Sequence, residues 1–177
     1  MRLIIIAGMP GAGKEEFLSA TRRLGLPFLR MGDLVREFHS KRDPADGALS
    51  VGAFASAERD RHGFDIWAKR AMERMGGDVF VVDGCRSRDE VRAYQSLTDD
   101  VVVVAIHSSP ETRYERLVKR GRDDAPANPS EFEARDAREI GWGLAETIVL
   151  ADVMLVNEGS LEEFWERSGE VAGALRG

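Results

Sequence analysis

Three observations predict an α/β fold whose parallel sheet is covered by helices on both faces. Apolar runs of strand length alternate with segments of helical pattern along the whole chain. The runs, such as Leu3–Ala7 and Val101–Ile106, are apolar throughout, as strands buried on both faces are. A glycine-rich turn lies between the first run and the first helix. Right-handed crossovers follow from that alternation.

Arg2–Ala7 reads as the first strand, and Lys14–Leu24 as a helix ended by Gly25 and Pro27. Phe28–Met31 is a short second strand, and Asp33–His39 begins another helix. Asp43-Pro44 and Asp46-Gly47 mark Lys41–Leu49 as a loop. Ser50–Arg61 and Phe64–Arg74 are helical, and Gly76-Gly77 breaks the pattern before the strand Val79–Val82. Arg88–Leu97 is a helix, Val101–His107 a strand, and Pro110–Lys119 a helix with proline in its first turn. Gly121–Pro129, rich in charge, Pro and Asn, reads as a mobile segment. Ser130 then caps a helix to about Ile140 with Glu133 as its capping-box partner, until Gly141-Trp142-Gly143 interrupts it. Asp152–Val156 is the last strand, and Ser160–Leu175 a helix in which Glu163 stands in the same relation to Ser160. No repeat or linker divides the chain, so residues 1–177 are expected to form one domain.

Composition narrows the function classes. At 43% hydrophobic residues the chain is too apolar to be disordered, and its apolar runs are too short to cross a bilayer. Met1-Arg2 and the five apolar residues behind it end in Gly8, without the small-residue cleavage site of a signal peptide. One cysteine, Cys85, excludes an internal disulfide framework and a cysteine-rich zinc site. The charge of −6 argues against bulk nucleic-acid binding. A soluble, cytoplasmic domain without membrane or nucleic-acid partners is expected. Of its 25 cations, 21 are Arg. That bias reflects either genome composition or guanidinium forks that grip oxyanions, and position must decide.

Position decides first at Gly8-Met9-Pro10-Gly11-Ala12-Gly13-Lys14-Glu15. The segment fits G-x-x-x-x-G-K between a first strand and a first helix. Glycines let the backbone wrap closely around phosphate, the helix amino end adds a positive dipole, and Lys14 reaches the β- and γ-phosphates. A merely structural glycine turn would not need the lysine or the strand before it. Glu15 departs from the pattern, which places Ser or Thr there to hold Mg²⁺. It either ligates Mg²⁺ directly or through water, points outward as a first-turn acid, or repels phosphate.

Val79–Val82 runs into Asp83-Gly84. A carboxylate at the end of a buried strand beside a phosphate loop suits a metal site or acceptance of a proton, the alternative being a plain Asp-Gly turn. Arg36 and Arg86 emerge at the same sheet edge and would grip an acceptor phosphate unless they are ordinary surface arginines. Arg116 and Arg120 share a helix face leading into the Gly121–Pro129 segment, and Arg135 and Arg138 lie in the next helix. A mobile arginine-bearing lid supplies charge to a transferring phosphoryl group; a solvated helix paired with Asp123, Asp124, Glu131, Glu133, Asp136 and Glu139 is the alternative. His39, His62 and His107 have no ligand spacing, and Cys85 has no identifiable activating base. Trp67, Trp142 and Trp165 read as packing residues, and Asn157 either contacts a base edge or serves a turn.

Together these segments resemble the P-loop nucleoside and nucleotide kinases. Gly32-Asp33-Leu34-x-Arg36 is similar to the acceptor-binding start of the second helix in adenylate kinases, and Asp83-Gly84-x-Arg86 to their Asp-Gly-Phe-Pro-Arg segment shortened by one residue. Glu115-Arg116-Leu117-x-x-Arg120 looks like the helix entering their lid. The stretch from Ala151-Asp152-Val153 to Glu163 is similar to dephospho-coenzyme A kinases. Over nearly its full length the chain resembles an archaeal family grouped with those two. The resemblance implies a three-layer P-loop kinase fold with five parallel strands in the order 2-3-1-4-5, an acceptor-binding insert near 33–75 and a lid near 121–140. It also implies that Arg36 and Arg86, with Asp33, bind the acceptor, that Arg116 lies near the donor base, and that Arg120 contacts donor phosphates. The expected activity is ATP- and Mg²⁺-dependent transfer to a small phosphorylated acceptor, a nucleoside monophosphate, with Lys14, Asp83, Arg120 and Arg135 catalytic. Dephospho-coenzyme A is the alternative acceptor. A slow regulatory nucleotidase is the alternative of another class.

Overall fold

The computed structural model describes residues 1–42, 49–121 and 125–177. Five strands, β1 (Arg2–Ala7), β2 (Phe28–Arg30), β3 (Val79–Asp83), β4 (Val101–His107) and β5 (Val153–Val156), form one all-parallel sheet in the order β2-β3-β1-β4-β5. This is the topology the resemblance implies. Nine helices are seen among the described residues: α1 (Lys14–Arg23), α2 (Met31–Ser40), α3 (Val51–His62), α4 (Ile66–Met72), α5 (Arg88–Gln95), α6 (Pro110–Arg120), α7 (Pro129–Gly141), α8 (Leu144–Val149) and α9 (Leu161–Arg176).

The two-residue period of β1 explains the layers. Leu3, Ile5 and Ala7 face a cluster containing Met31, Leu34, Trp67, Val91 and Tyr94, supplied by α2, α4 and α5. Ile4 and Ile6 face the other way, onto Phe17 and Leu18 of α1 and Phe164 of α9. All five of these β1 side chains are fully buried, so β1 cannot alternate polar residues as an edge strand does. With β1 at the centre, β1, β3 and β4 end at one edge of the sheet, carrying Gly8, Asp83 and Ser108 there.

One local expectation is corrected. The cap of α7 is Asn128, whose side chain accepts from the Glu131 amide, with Pro129 at the first helical position. Ser130 is already inside the helix, because an asparagine before a proline outcompetes it. Gly141-Trp142-Gly143 interrupts the helix as expected, α7 ending at Gly141. Gly143 adopts φ +99° and starts α8, whose Leu144 and Thr147 are buried. The Ser160–Glu163 capping box of α9 is present in full. The expected loop Lys41–Leu49 and mobile Gly121–Pro129 fall partly outside the described residues, as do Asp123 and Asp124. No helix among the described residues is long and apolar enough to cross a membrane.

Candidate active site

The glycine loop wraps the amino end of α1 as its sequence requires. Gly11 has φ +84° and lies under α6; a β-carbon there would come 2.7 Å from the Arg113 carbonyl oxygen. Gly13 has φ +105°, and a β-carbon would overlap the Asn157 amide. Asn157 is buried and donates from Nδ2 to the Ala12 carbonyl at 2.9 Å, so it anchors the loop. Lys14 curls back over the loop. Its Nζ donates to the carbonyls of Gly8 at 2.6 Å and Met9 at 3.1 Å. Burial lowers its pKa to about 8, against the pull of Asp83 and Glu139.

Asp83 closes β3 beside β1. Its Oδ1 is buried and has no hydrogen-bond partner, and burial raises its pKa despite the nearby Lys14 and Arg30 charges. Glu15 turns toward the end of β2 and pairs with Arg30, which stands in register with Asp83. Its neighbour Glu16 points outward and accepts from the Trp165 indole at 2.6 Å.

Arg86 is held at several points. Its backbone N–H donates to Glu90 Oε2 at 2.8 Å, its Nη1 to the Gly84 carbonyl at 3.0 Å, and its Nε to Glu139 of α7 at 2.8 Å. Burial would raise the Glu139 pKa, but the Arg86 and Lys14 charges outweigh it and lower it. The other oxygen of Glu90 accepts from Arg59 of α3 at 3.0 Å, an ion pair with both side chains at most 2% exposed. Arg59 also stacks on Trp142, 4.4 Å from the ring centroid. A second clamp joins α7 to the phosphate loop. Arg113, nearly fully buried, pairs with both oxygens of Asp136 at 2.9 and 2.5 Å and donates to the Pro10 carbonyl at 3.1 Å.

These elements surround a polar cavity of about 180 Å³. Gly8, Pro10, Gly11, Lys14, Glu15, Arg36, Asp83, Arg86, Arg120 and Arg135 of the sequence-predicted set line it. Met9, Ala12, Gly13, Asp33 and Arg116 do not line it. Ala12 is fully buried, Met9 packs on the core and Gly13 starts α1. Asp33 pairs with Arg36 at 2.5 Å, and both side chains are exposed. Arg116 is tied to Ser108 Oγ at 2.9 Å and the Asn157 carbonyl at 3.1 Å. Beside this cavity lies a larger one of about 1030 Å³ between α2, α3 and α7. The two share Gly32, Arg36, Arg86, Arg135 and Glu139.

The arrangement also contains residues the sequence reading passed over. Arg30, Glu139 and Arg113 each carry a contact at the site, and Arg59 and Glu90 support it from behind. Asp136 and Glu139, read as partners of a solvated helix, instead face inward onto Arg113 and Arg86. Cys85 is buried in its turn, where burial pushes its thiol pKa well up.

A protein-family model described as an AAA domain matches residues 4–140. A UPF0200 protein of Thermoplasma volcanium is 43% identical over 167 residues, spanning 94% of this chain and 93% of that one. A UPF0200 protein of Hyperthermus butylicus is 41% identical and spans 99% and 95%. The chain belongs to the UPF0200 family of AAA-domain proteins. Among solved structures, this UPF0200 chain is similar in fold to a gluconokinase from Sinorhizobium meliloti, with a TM-score of 0.61, 20% identity, and 98% and 93% of the two chains covered. It is also similar to a shikimate kinase from Aquifex aeolicus, with a TM-score of 0.54, 17% identity and 99% of each chain covered. The UPF0200 chain therefore has a P-loop kinase-like fold.

Proposed function

We propose that this protein is an ATP- and Mg²⁺-dependent phosphotransferase that moves the γ-phosphoryl group of ATP to a small phosphorylated acceptor, best a nucleoside monophosphate. One observation carries the reading: Lys14, Asp83 and the arginines Arg36, Arg86, Arg120 and Arg135 line one small polar cavity that adjoins a larger one. The backbone N–H groups of Gly11 and Gly13 and the Lys14 ammonium receive the donor's β- and γ-phosphates. Arg116 and Asn157 lie behind that loop, on the side assigned to the donor base. Arg36, oriented by Asp33, and Arg86 hold the acceptor's phosphate in the shared part of the two cavities. Arg120 and Arg135 place charge where the phosphoryl group passes, so the rate gain comes from positioning and electrostatics.

The residues present fit Mg²⁺. Asp83 offers a buried carboxylate oxygen without a partner, a hard donor for a hard cation, and would hold it, with the Glu15 carboxylate lining the same cavity. When bound, Mg²⁺ would neutralise charge on the β- and γ-phosphates. For a hydroxyl acceptor such as dephospho-coenzyme A, Asp83 would instead take the hydroxyl proton; a monophosphate oxygen, already deprotonated, needs no base.

The larger cavity, about 1030 Å³, combines Val35, Val51, Ala55 and Trp142 with arginines, which suits an apolar ring carrying an anionic group. Its size also favours a second reading, dephospho-coenzyme A as acceptor. Glu15 favours a third, a slow regulatory nucleotidase. Thermal shift with Mg·ATP, with each acceptor, and with both separates them. A kinase is stabilised by donor and acceptor alike, a regulatory module by the nucleotide alone.

A further inference from the structure

We infer that Arg30 is a positioning residue for nucleotide binding: it holds and neutralises Glu15, so that a carboxylate can follow the phosphate-loop lysine without repelling the donor's phosphates. The inference rests on the nucleotide-binding reading above and deepens it. Glu15 lines the small cavity together with Lys14 and Asp83. Unpaired, the Glu15 carboxylate would stand next to Lys14 at the end of the loop and repel a triphosphate locally, against the pull of the arginines that line the cavity. Arg30 comes from the end of β2, beside Asp83 in the sheet register, and its Nη2 pairs with Glu15 Oε1. The guanidinium lines the same cavity, and its Nε is buried without a hydrogen-bond partner. The Arg30 side chain is 28% exposed, so the pair is only partly shielded from solvent. Glu16, not Glu15, is the outward first-turn acid of α1, since it is engaged by Trp165 at the surface. The pair therefore occupies the place where a Ser or Thr hydroxyl ordinarily follows the lysine. Arg30 acts on the ligand through Glu15 and keeps that carboxylate from offsetting the Lys14 charge.

The test is a double-mutant cycle on ATP affinity, measured calorimetrically on the full chain with EDTA present so that no metal contributes. Arg30→Ala should weaken ATP binding about tenfold, because it exposes the Glu15 charge in a partly enclosed site. That loss should shrink as NaCl is raised, since it is a repulsion between charges. Arg30→Lys should retain most of the affinity. Glu15→Ser combined with Arg30→Ala should bind ATP within about threefold of the wild type, the signature of coupled residues. Wild-type affinity in Arg30→Ala, or a double variant that binds no better than Arg30→Ala, overturns the inference. If Arg30→Ala does not fold, the double variant decides by the same threefold criterion, and failure to meet it overturns the inference. A wild-type protein that binds no ATP overturns the nucleotide-binding reading itself, and this inference with it.

Discussion

Lys14→Met should stabilise the protein near neutral pH while destroying its grip on nucleotide. The Lys14 ammonium is packed over the loop with its pKa lowered by burial from the ordinary 10.5 to about 8. Between those two values the folded chain has released this proton and the unfolded chain still holds it, so stability rises with pH across that window. Below about 8 the folded state bears the whole cost of the charge. From about 8 to 10.5, at about 1.4 kcal/mol per pH unit, that cost is at most about 3.5 kcal/mol. Methionine removes it but leaves the Gly8 and Met9 carbonyls without their donor, a loss of about 1 kcal/mol each. The variant should therefore gain at most about 1.5 kcal/mol at pH 7, or about 3–6 °C in Tm. Above pH 10.5 it should be less stable than the wild type. Urea unfolding of both proteins from pH 6 to 11 measures this, and the difference cancels the titrating groups that do not feel the Lys14 charge, as Asp83 and Glu139 do. Parallel stability curves would refute the reasoning, since they would mean that the fold does not strain this ammonium.

Two further substitutions test other parts of the site. Arg120→Ala should lower kcat well beyond its effect on ATP affinity, because its charge acts on the transferring group; equal losses in steady-state kinetics and equilibrium binding would assign it to ground-state binding. Glu90→Ala should cost about 3–5 kcal/mol by leaving Arg59 charged and buried without its partner, whereas Arg59→Met with Glu90→Leu should recover part of that loss, the remainder being the Arg86 N–H bond and the Trp142 stack at about 1 kcal/mol each. Chemical denaturation of the three proteins decides, and an equally unstable double variant would show that packing, not charge, governs this position.

Much of the architecture was legible in the sequence because its signals are local. Unbroken apolar runs mark the strands, and the Gly8–Lys14 spacing marks the turn that must follow the first one. The strand order came from resemblance, since the alternation of strands and helices does not dictate which strands pair. Arg86 and Arg36 were legible as cations at the right sheet edge, but their partners were not. Glu139 and Asp136 sit in a helix whose charge pattern looks solvated, and only the docking of α7 turns them inward. Arg30 stands at the end of a three-residue strand, where nothing in its own neighbourhood signals its register with Asp83. Arg113 is buried on a helix dominated by exposed charge, a position that composition assigns to solvent. The cap of α7 was readable from Asn128-Pro129, a stronger start signal than Ser130. Apart from that cap and the Asp33–Arg36 pair, the deciding contact in each missed case joins residues far apart in the chain, and local spacing carries no trace of it.

The most direct test of the central claim is phosphoryl transfer itself. Purified protein with Mg²⁺ and γ-labelled ATP is offered AMP, CMP, UMP, GMP, dephospho-coenzyme A or no acceptor, and the labelled product is resolved. The account predicts transfer to one acceptor well above the no-acceptor rate, best to a nucleoside monophosphate, and loss of that transfer in Lys14→Met. A slow release of phosphate that no acceptor accelerates would contradict it.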